Sequence, residues 1–265
     1  MLNVKNIVIS VGMVAISTAL ALGLGEVVLR VKNSSMKNYD IEMWRYAKEL
    51  KVASANPELG HEHIPNSMAI LQSVPIRINS FGLRGGPVEA KKPGRRDILC
   101  LGSSITLGWG VPEEKTAAYL VGEKLRAAGE QVQILNAGIG NYNAPRYVKR
   151  FFTRLKGLEP SDIVVQYFLR DAEPLEQGGG NFLLRHSQLA VTLWTSANRL
   201  LRKPAAHVLE DHYRNIYAEN SKGRKAMEDA LRELSDYAHS KSIRMYLAMT
   251  PDVHNLMQYP FHDIH

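Results

Sequence analysis

From Asp97 onward the chain alternates short apolar runs with longer segments of helical periodicity, a pattern that few folds accept. Ile98–Leu101, Val132–Leu135, Ile163–Leu169 and Ile243–Met249 are mostly apolar without strict alternation, as suits strands buried on both faces. Glu113–Ala128, Pro145–Leu155 and Lys222–His239 read as helices between them. In the last, Met227, Leu231, Leu234 and Ala238 recur at helical spacing. Strands alternating with helices predict a parallel sheet covered on both faces. A further helix is expected beyond Pro251. No internal repeat is visible.

The 265 residues suffice for one α/β domain plus an appendage, and 45% hydrophobic residues argue against a disordered chain. Lysine and arginine exceed aspartate and glutamate by 33 − 26 = 7. No zinc-finger spacing, RNA-binding signature or aromatic–basic interleaving accompanies that excess, so nucleic acid is not an expected partner. A solvated basic surface near a membrane accounts for it. Cys100 is the one cysteine, which rules out an internal disulfide; within Ile98-Leu99-Cys100-Leu101 it reads as a small buried side chain.

Ile7–Leu24 carries no charge, with Lys5 before it and Glu26, Arg30 and Lys32 after. About 18 apolar or small residues is near the lower limit for spanning hydrocarbon as a helix. Ala19-Leu20-Ala21 has the small-x-small form of a signal-peptide cleavage site, but the apolar run continues past it without a polar spacer. The expectation is an uncleaved transmembrane anchor over residues 1–32, with a cleaved signal as the alternative. Residues 33–96 form a juxtamembrane segment with a helix near Ile41–Val52 and an exposed strand at Ile76–Asn79. A basic linker, Lys91–Arg96, closes it. The domain proper is 97–265. One stretch interrupts its alternation: Ala172–Ser221, with Gly178-Gly179-Gly180 and an apolar helical segment, Leu183–Leu201. An insertion of that length at a strand's end reads as a lid or a membrane-facing flap.

Three polar loops follow the first three domain strands in order. Gly102-Ser103-Ser104-Ile105-Thr106-Leu107-Gly108 follows the first. It lacks the lysine of a P-loop and the third glycine of a dinucleotide fingerprint. Leu135-Asn136-Ala137-Gly138-Ile139-Gly140-Asn141-Tyr142-Asn143 follows the second, and Tyr167-Phe168-Leu169-Arg170-Asp171 ends the third. In open parallel sheets, ligands bind at such carboxyl ends. In order and spacing these blocks resemble those of the SGNH/GDSL hydrolases over about residues 76–255.

The resemblance implies a flavodoxin-like three-layer α/β/α fold, no cofactor or metal, and Ser104 as nucleophile. Gly138, Asn141, Arg170 and Asp171 would supply the oxyanion and substrate contacts. Ser103 stands where the family has aspartate. Asn141 stands at the oxyanion glycine, where asparagine is the residue that best tolerates left-handed backbone. Arg170 replaces the oxyanion asparagine, and its guanidinium has Asp171 or Glu173 as competing partners.

The family also supplies a catalytic Asp-x-x-His after a fifth strand. Asp211 and Asp252 are followed three residues on by Arg214 and Asn255. Asp236 with His239 matches the spacing but lies in the helix before the fourth strand. His254 is a weak candidate base. His61-Glu62-His63 fails the zincin pattern at Pro65, and His262 with His265 reads as a surface pair. Either the block lies downstream of His265 or the base has been lost; the first is the expectation, and with it negligible activity for the 265 residues alone. The implied protein is a single-pass inner-membrane carboxylic-ester hydrolase, periplasmic in its catalytic part, that cleaves acyl or acetyl esters of lipids or glycans. An O-acyltransferase to envelope polysaccharide and an inactive binding or scaffold relative are the alternatives.

Overall fold

A computed structural model describes residues 4–175, 181–201, 208–253 and 257–265. Two compact units divide the chain, one of residues up to Arg45 with the 181–201 segment, the other of the remainder.

The first unit is helical. Helix α1, Val4–Asn33, is long and apolar enough to cross a membrane, a property that a signal sequence shares. Helix α2, Tyr39–Glu49, begins in this unit and carries the chain out of it. The helical segment expected at Leu183–Leu201 is broken at Ser187 into α6, Phe182–His186, and α7, Gln188–Leu201.

The second unit opens with two hairpins. Strands β1, Lys51–Ala53, and β2, His61–His63, pair antiparallel, as do β3, Ser67–Leu71, and β4, Val74–Ile78. Gln72 and Ser73 turn the second hairpin with φ of 52° and 61°, the positive pair that matches strand twist. The strand expected to be exposed is half-buried: Ile76 and Ile78 are in the core and Arg77 faces out. Alternation signals one buried face, not an exposed strand.

The main sheet comprises β5, Arg96–Gly102; β6, Val132–Asn136; β7, Asp162–Phe168; and β8, Arg244–Thr250. Its order is β6-β5-β7-β8, all parallel. This is the flavodoxin-like order, in which the direction of strand addition switches between β5 and β7. Helix α4, Ala117–Ala127, follows a 3-10 turn and is capped by Thr116, whose hydroxyl accepts the Tyr119 N–H. It packs on β6, while α5, Ala144–Arg150, and α9, Lys222–Ser240, pack on each other. Right-handed crossovers to opposite sides of β5 put α4 on one face and α5 and α9 on the other, giving three layers. The helix expected over Pro145–Leu155 changes at Phe151 into a π turn and then a 3-10 turn. Helix α8, Val208–Ile216, completes the set. Beyond β8, where a helix was expected, residues 257–265 form turns.

The two ends of the sheet are built differently. At the amino end, Asp162 is fully buried and receives Arg96 at 3.0 Å and Arg244 at 2.8 Å, tying β5, β7 and β8 together. At the carboxyl end the backbone is packed to the limit. A Cβ on Gly138 would lie 2.1 Å from the Leu107 nitrogen, and one on Gly102 would lie 2.1 Å from Thr106 Oγ1. Gly138→Ala is therefore expected to destabilise the domain by about 2–3 kcal/mol or more. Gly157→Ala, where no atom lies within 4 Å, serves as the neutral comparison. Thermal unfolding of the detergent-solubilised protein checks this: equal midpoints for the two variants would contradict the packing.

Candidate active site

Three loops leave the carboxyl edge of the sheet, after β5, β6 and β7. After Gly102 the chain enters one helical turn, α3, Ser104–Leu107, with Ser103 at its N-cap and Gly108 closing it at φ 76°. Ser104 is thus the first helical residue. It is half-buried, and Ser103 is 9% exposed. The Ser104 carbonyl accepts from the Gly108 and Trp109 N–H groups at 3.0 Å, so the turn is closed on itself.

Two buried side chains fix this turn. Asn136, the last residue of β6, donates to the Thr106 carbonyl at 2.7 Å and accepts the Gly138 N–H at 3.0 Å, joining the first two loops. Arg84 donates to the carbonyls of Leu107, Gly108 and Val111, each at 2.6 Å, and its own N–H donates to the Asn136 carbonyl at 2.9 Å. Beyond β6 the pairing with β5 continues, Ala137 N–H to the Cys100 carbonyl and Ile139 N–H to that of Gly102. The second loop therefore runs beside Gly102. Cys100 itself is buried, as expected, and burial pushes its thiol up to about 12, out of range of thiolate chemistry.

The Gly140–Asn141 peptide is held from below by residues 46–63. Tyr46 Oη accepts the Gly140 N–H at 2.9 Å and therefore donates its own proton to His63 Nε2 at 2.7 Å. His63 must then carry its proton on Nδ1, which donates to the Gly82 carbonyl at 2.9 Å. The Gly140 carbonyl accepts from Lys51 Nζ at 2.7 Å and from His61 Nε2 at 3.1 Å. Burial pushes Lys51 down to about 7 and His61 down to about 3. Asn141 follows at φ 64°, left-handed, with its residue surface exposed. His61-Glu62-His63 thus pins loops, with Glu62 paired to Arg154 at 2.8 Å. The cue in the sequence is a histidine-rich strand beside buried aromatics, which does not reveal its targets.

Around the third loop, Arg170 and Asp171 have different surroundings. Arg170 is exposed and its Nε donates to Glu173 at 2.6 Å. Asp171 is fully buried; its Oδ2 accepts from the Phe168 N–H at 3.2 Å and from the Tyr147 hydroxyl at 3.1 Å. Asp171 therefore shapes the turn after β7 and is shielded from solvent. Gly138 likewise spends its N–H on Asn136, which leaves the Asn141 N–H and Arg170 as the oxyanion candidates among the four residues expected to serve.

His254 lies outside the described residues. The described histidines that are hydrogen-bonded or ion-paired have partners other than Ser104: Gly140, Tyr46 and Gly82, Phe182, Glu173 and Tyr259. One of them was missed by sequence reasoning. His212, on α8, lies with Nε2 3.6 Å from Glu173 Oε1, so a histidine and a carboxylate meet at the loop after β7. No short spacing connects residues 173 and 212, so no motif could have disclosed the pair. No group of three or more potential metal ligands occurs among the described residues.

Burial pushes the Asp171 carboxyl up from its ordinary 3.8 to about 7. The folded chain then keeps a proton that the unfolded chain releases near 4, so this group's contribution to stability falls as pH rises from about 4 through about 7. Asp171→Asn is expected to remove that component. Relative to the unsubstituted protein, the variant should be more favourably placed at pH 8 than at pH 5 in thermal unfolding. A difference independent of pH would contradict the protonated carboxyl.

No family model matches the chain, and no curated protein matches it. Among solved structures, TesA is similar at 15% identity and a TM-score of 0.30, covering 57% of this chain and 77% of that one. AlinE4, an SGNH-hydrolase family esterase, is similar at 18% identity and 0.30, covering 58% and 77%. A putative lipolytic protein of the G-D-S-L family from Desulfitobacterium hafniense DCB-2 is similar at 18% identity and 0.26, covering 57% and 77%. The functional reading of this chain rests on the geometry of its three loops.

Proposed function

We propose that the chain is a serine ester hydrolase of the SGNH/GDSL type, held at the plasma membrane by α1 with its catalytic part outside the cytoplasm. It acts on acyl or acetyl esters of lipids or glycans. One observation carries the reading: Ser104 opens a one-turn helix at the carboxyl end of β5, beside the switch in strand order between β5 and β7, the position at which open α/β sheets bind ligands. The left-handed Asn141 backbone on the adjoining loop supports it, since that geometry turns a peptide toward a common centre.

In this reading, Ser104 Oγ attacks the ester carbonyl carbon and a base takes the hydroxyl proton. The Asn141 N–H and the Arg170 guanidinium meet the oxyanion. The tetrahedral intermediate collapses by breaking the bond to the alcohol oxygen, which leaves with the proton. Water then repeats the sequence on acyl-Ser104. Arg170 holds Glu173 through Nε, and its guanidinium carries further N–H donors with which to meet the oxyanion. The base is expected from an Asp-x-x-His downstream of His265; within these residues His212, which Glu173 accompanies, and His254 are the alternatives. A sugar hydroxyl in place of water would make the same site an acyltransferase.

Hydrolysis of p-nitrophenyl acetate by the membrane-extracted protein tests this. Ser104→Ala is expected to lower kcat/KM by about 1000-fold or more, because oxyanion contacts and binding alone retain only part of the rate. Ser103→Ala is expected to retain activity. Equal rates for Ser104→Ala and the unsubstituted enzyme would refute the nucleophile. His212→Ala and His254→Ala then separate the two bases: the variant that matches Ser104→Ala names it.

A further inference from the structure

Helix α7 is built back to front for a helix in water. Its inward face carries Gln188, Val191 and Thr195, of which Gln188 and Val191 are buried. The opposite face carries Leu193, Trp194, Ala197, Leu200 and Leu201, all exposed. These recur at helical spacing and form one stripe. A surface helix in water turns its apolar stripe inward; here the largely polar face is inward and the apolar stripe outward. Trp194 is 57% exposed and Leu200 87%.

The start of α7 is fixed to α1. The first-turn N–H groups of a helix lack intrahelical partners. Here Gln188 and Leu189 donate theirs to the Glu26 carboxylate at 3.0 and 2.9 Å, Ala190 donates to Ser187 Oγ at 3.0 Å, and Val191 to the Ser187 carbonyl at 3.2 Å. Glu26 also accepts from Ser187 Oγ and from Arg30 Nε. Arg30 donates to the His186 carbonyl at 3.2 Å, and the Asn33 side chain donates to Gln188 at 2.9 Å. At Gly25 the helices approach closely: a Cβ there would lie 3.6 Å from Leu189 Cδ2. The junction therefore sits between Gly25 and Asn33, at the end of α1 where Arg30 and Lys32 mark a membrane–water boundary.

We propose that α7 is an interfacial membrane helix whose stripe from Leu193 to Leu201 enters the headgroup–acyl boundary of the bilayer that α1 spans. This rests on the reading of α1 as a membrane span. Three observations select lipid as the occupant: the stripe lies on a helix whose start is joined to an apolar helix of the same unit, its depth is set by the Glu26 junction, and it includes a tryptophan, the residue suited to that boundary.

The test uses the full chain in phosphatidylcholine–phosphatidylglycerol vesicles, with an environment-sensitive fluorophore on single introduced cysteines. Cys100 is buried and stays unlabelled. Labels go at Ala197→Cys and, independently, Leu200→Cys on the stripe. Ala15→Cys reports the middle of α1, and Lys124→Cys on α4 reports water. Lipids carrying a shallow nitroxide are expected to quench most of the emission at 197 and 200, lipids carrying a deep nitroxide to quench most of it at 15, and neither to affect 124. Quenching at 15 with none at 197 and 200 would overturn the interfacial helix and leave the anchor standing. An apolar emission shift at 197 without quenching would also overturn it, because protein would then cover the stripe. Absence of quenching at 15 would refute the span itself, and the inference with it.

Discussion

The arrangement of the sheet's carboxyl edge depends on one buried amide. Asn136 closes β6, and its side chain spends both halves at once, donating to the turn that carries Ser104 and accepting from the loop that carries Gly138 and Asn141. Neither loop can shift without leaving a buried polar group unpaired, which costs more than the net value of the hydrogen bond itself. Gly138 makes the contact close enough to matter, because the Leu107 backbone occupies the space of a Cβ. Arg84 reinforces the same junction with three carbonyls, a use of its several donors that lysine could not reproduce.

This locking leaves the functional groups themselves less constrained than their supports. Gly140 is gripped on both its N–H and its carbonyl by Tyr46, Lys51 and His61, and the next residue, Asn141, is exposed at positive φ. Asp171 is buried under the third loop, and its neighbour Arg170 is exposed and paired with Glu173. Each candidate contact to substrate is thus one residue away from a buried anchor. Rigid support next to an accessible group is what preorganised stabilisation of a developing charge requires. At the opposite end of the sheet, Asp162 with Arg96 and Arg244 does nothing but tie strands.

Much of the sheet was legible in the sequence, and the reason is period. Runs such as Ile98–Leu101 and Ile163–Leu169 are apolar without alternation because parallel strands are buried on both faces. The place of Ser104 on the turn after such a run was legible too, and the left-handed backbone at Asn141 is the geometry that residue tolerates best. The supports were not legible. Arg84 and Asn136 are single polar residues among glycines and apolar residues, and nothing local shows which distant carbonyls and N–H groups they clamp. His61-Glu62-His63 suggested a metal and was discounted at Pro65; its actual role was hidden because its targets lie about Gly140 and Arg154, far along the chain. The turns beyond β8 were mistaken for a helix. Asp171 was expected to meet substrate, but its burial depends on Tyr147, which arrives from α5. The stripe on α7 was visible as apolar character alone. Which side faced outward depended on Glu26, more than a hundred residues earlier.

The central claim is that the three loops converge to make Ser104, and not its neighbour Ser103, the reactive hydroxyl. Reaction of the membrane-embedded protein with a fluorophosphonate, followed by mass spectrometry of the peptide spanning residues 97–115, tests it most directly. The account predicts a single phosphonyl adduct on Ser104 that disappears when Asn136→Ala releases the clamp between the loops. An adduct on Ser103, or labelling of Ser104 that survives Asn136→Ala undiminished, would contradict it.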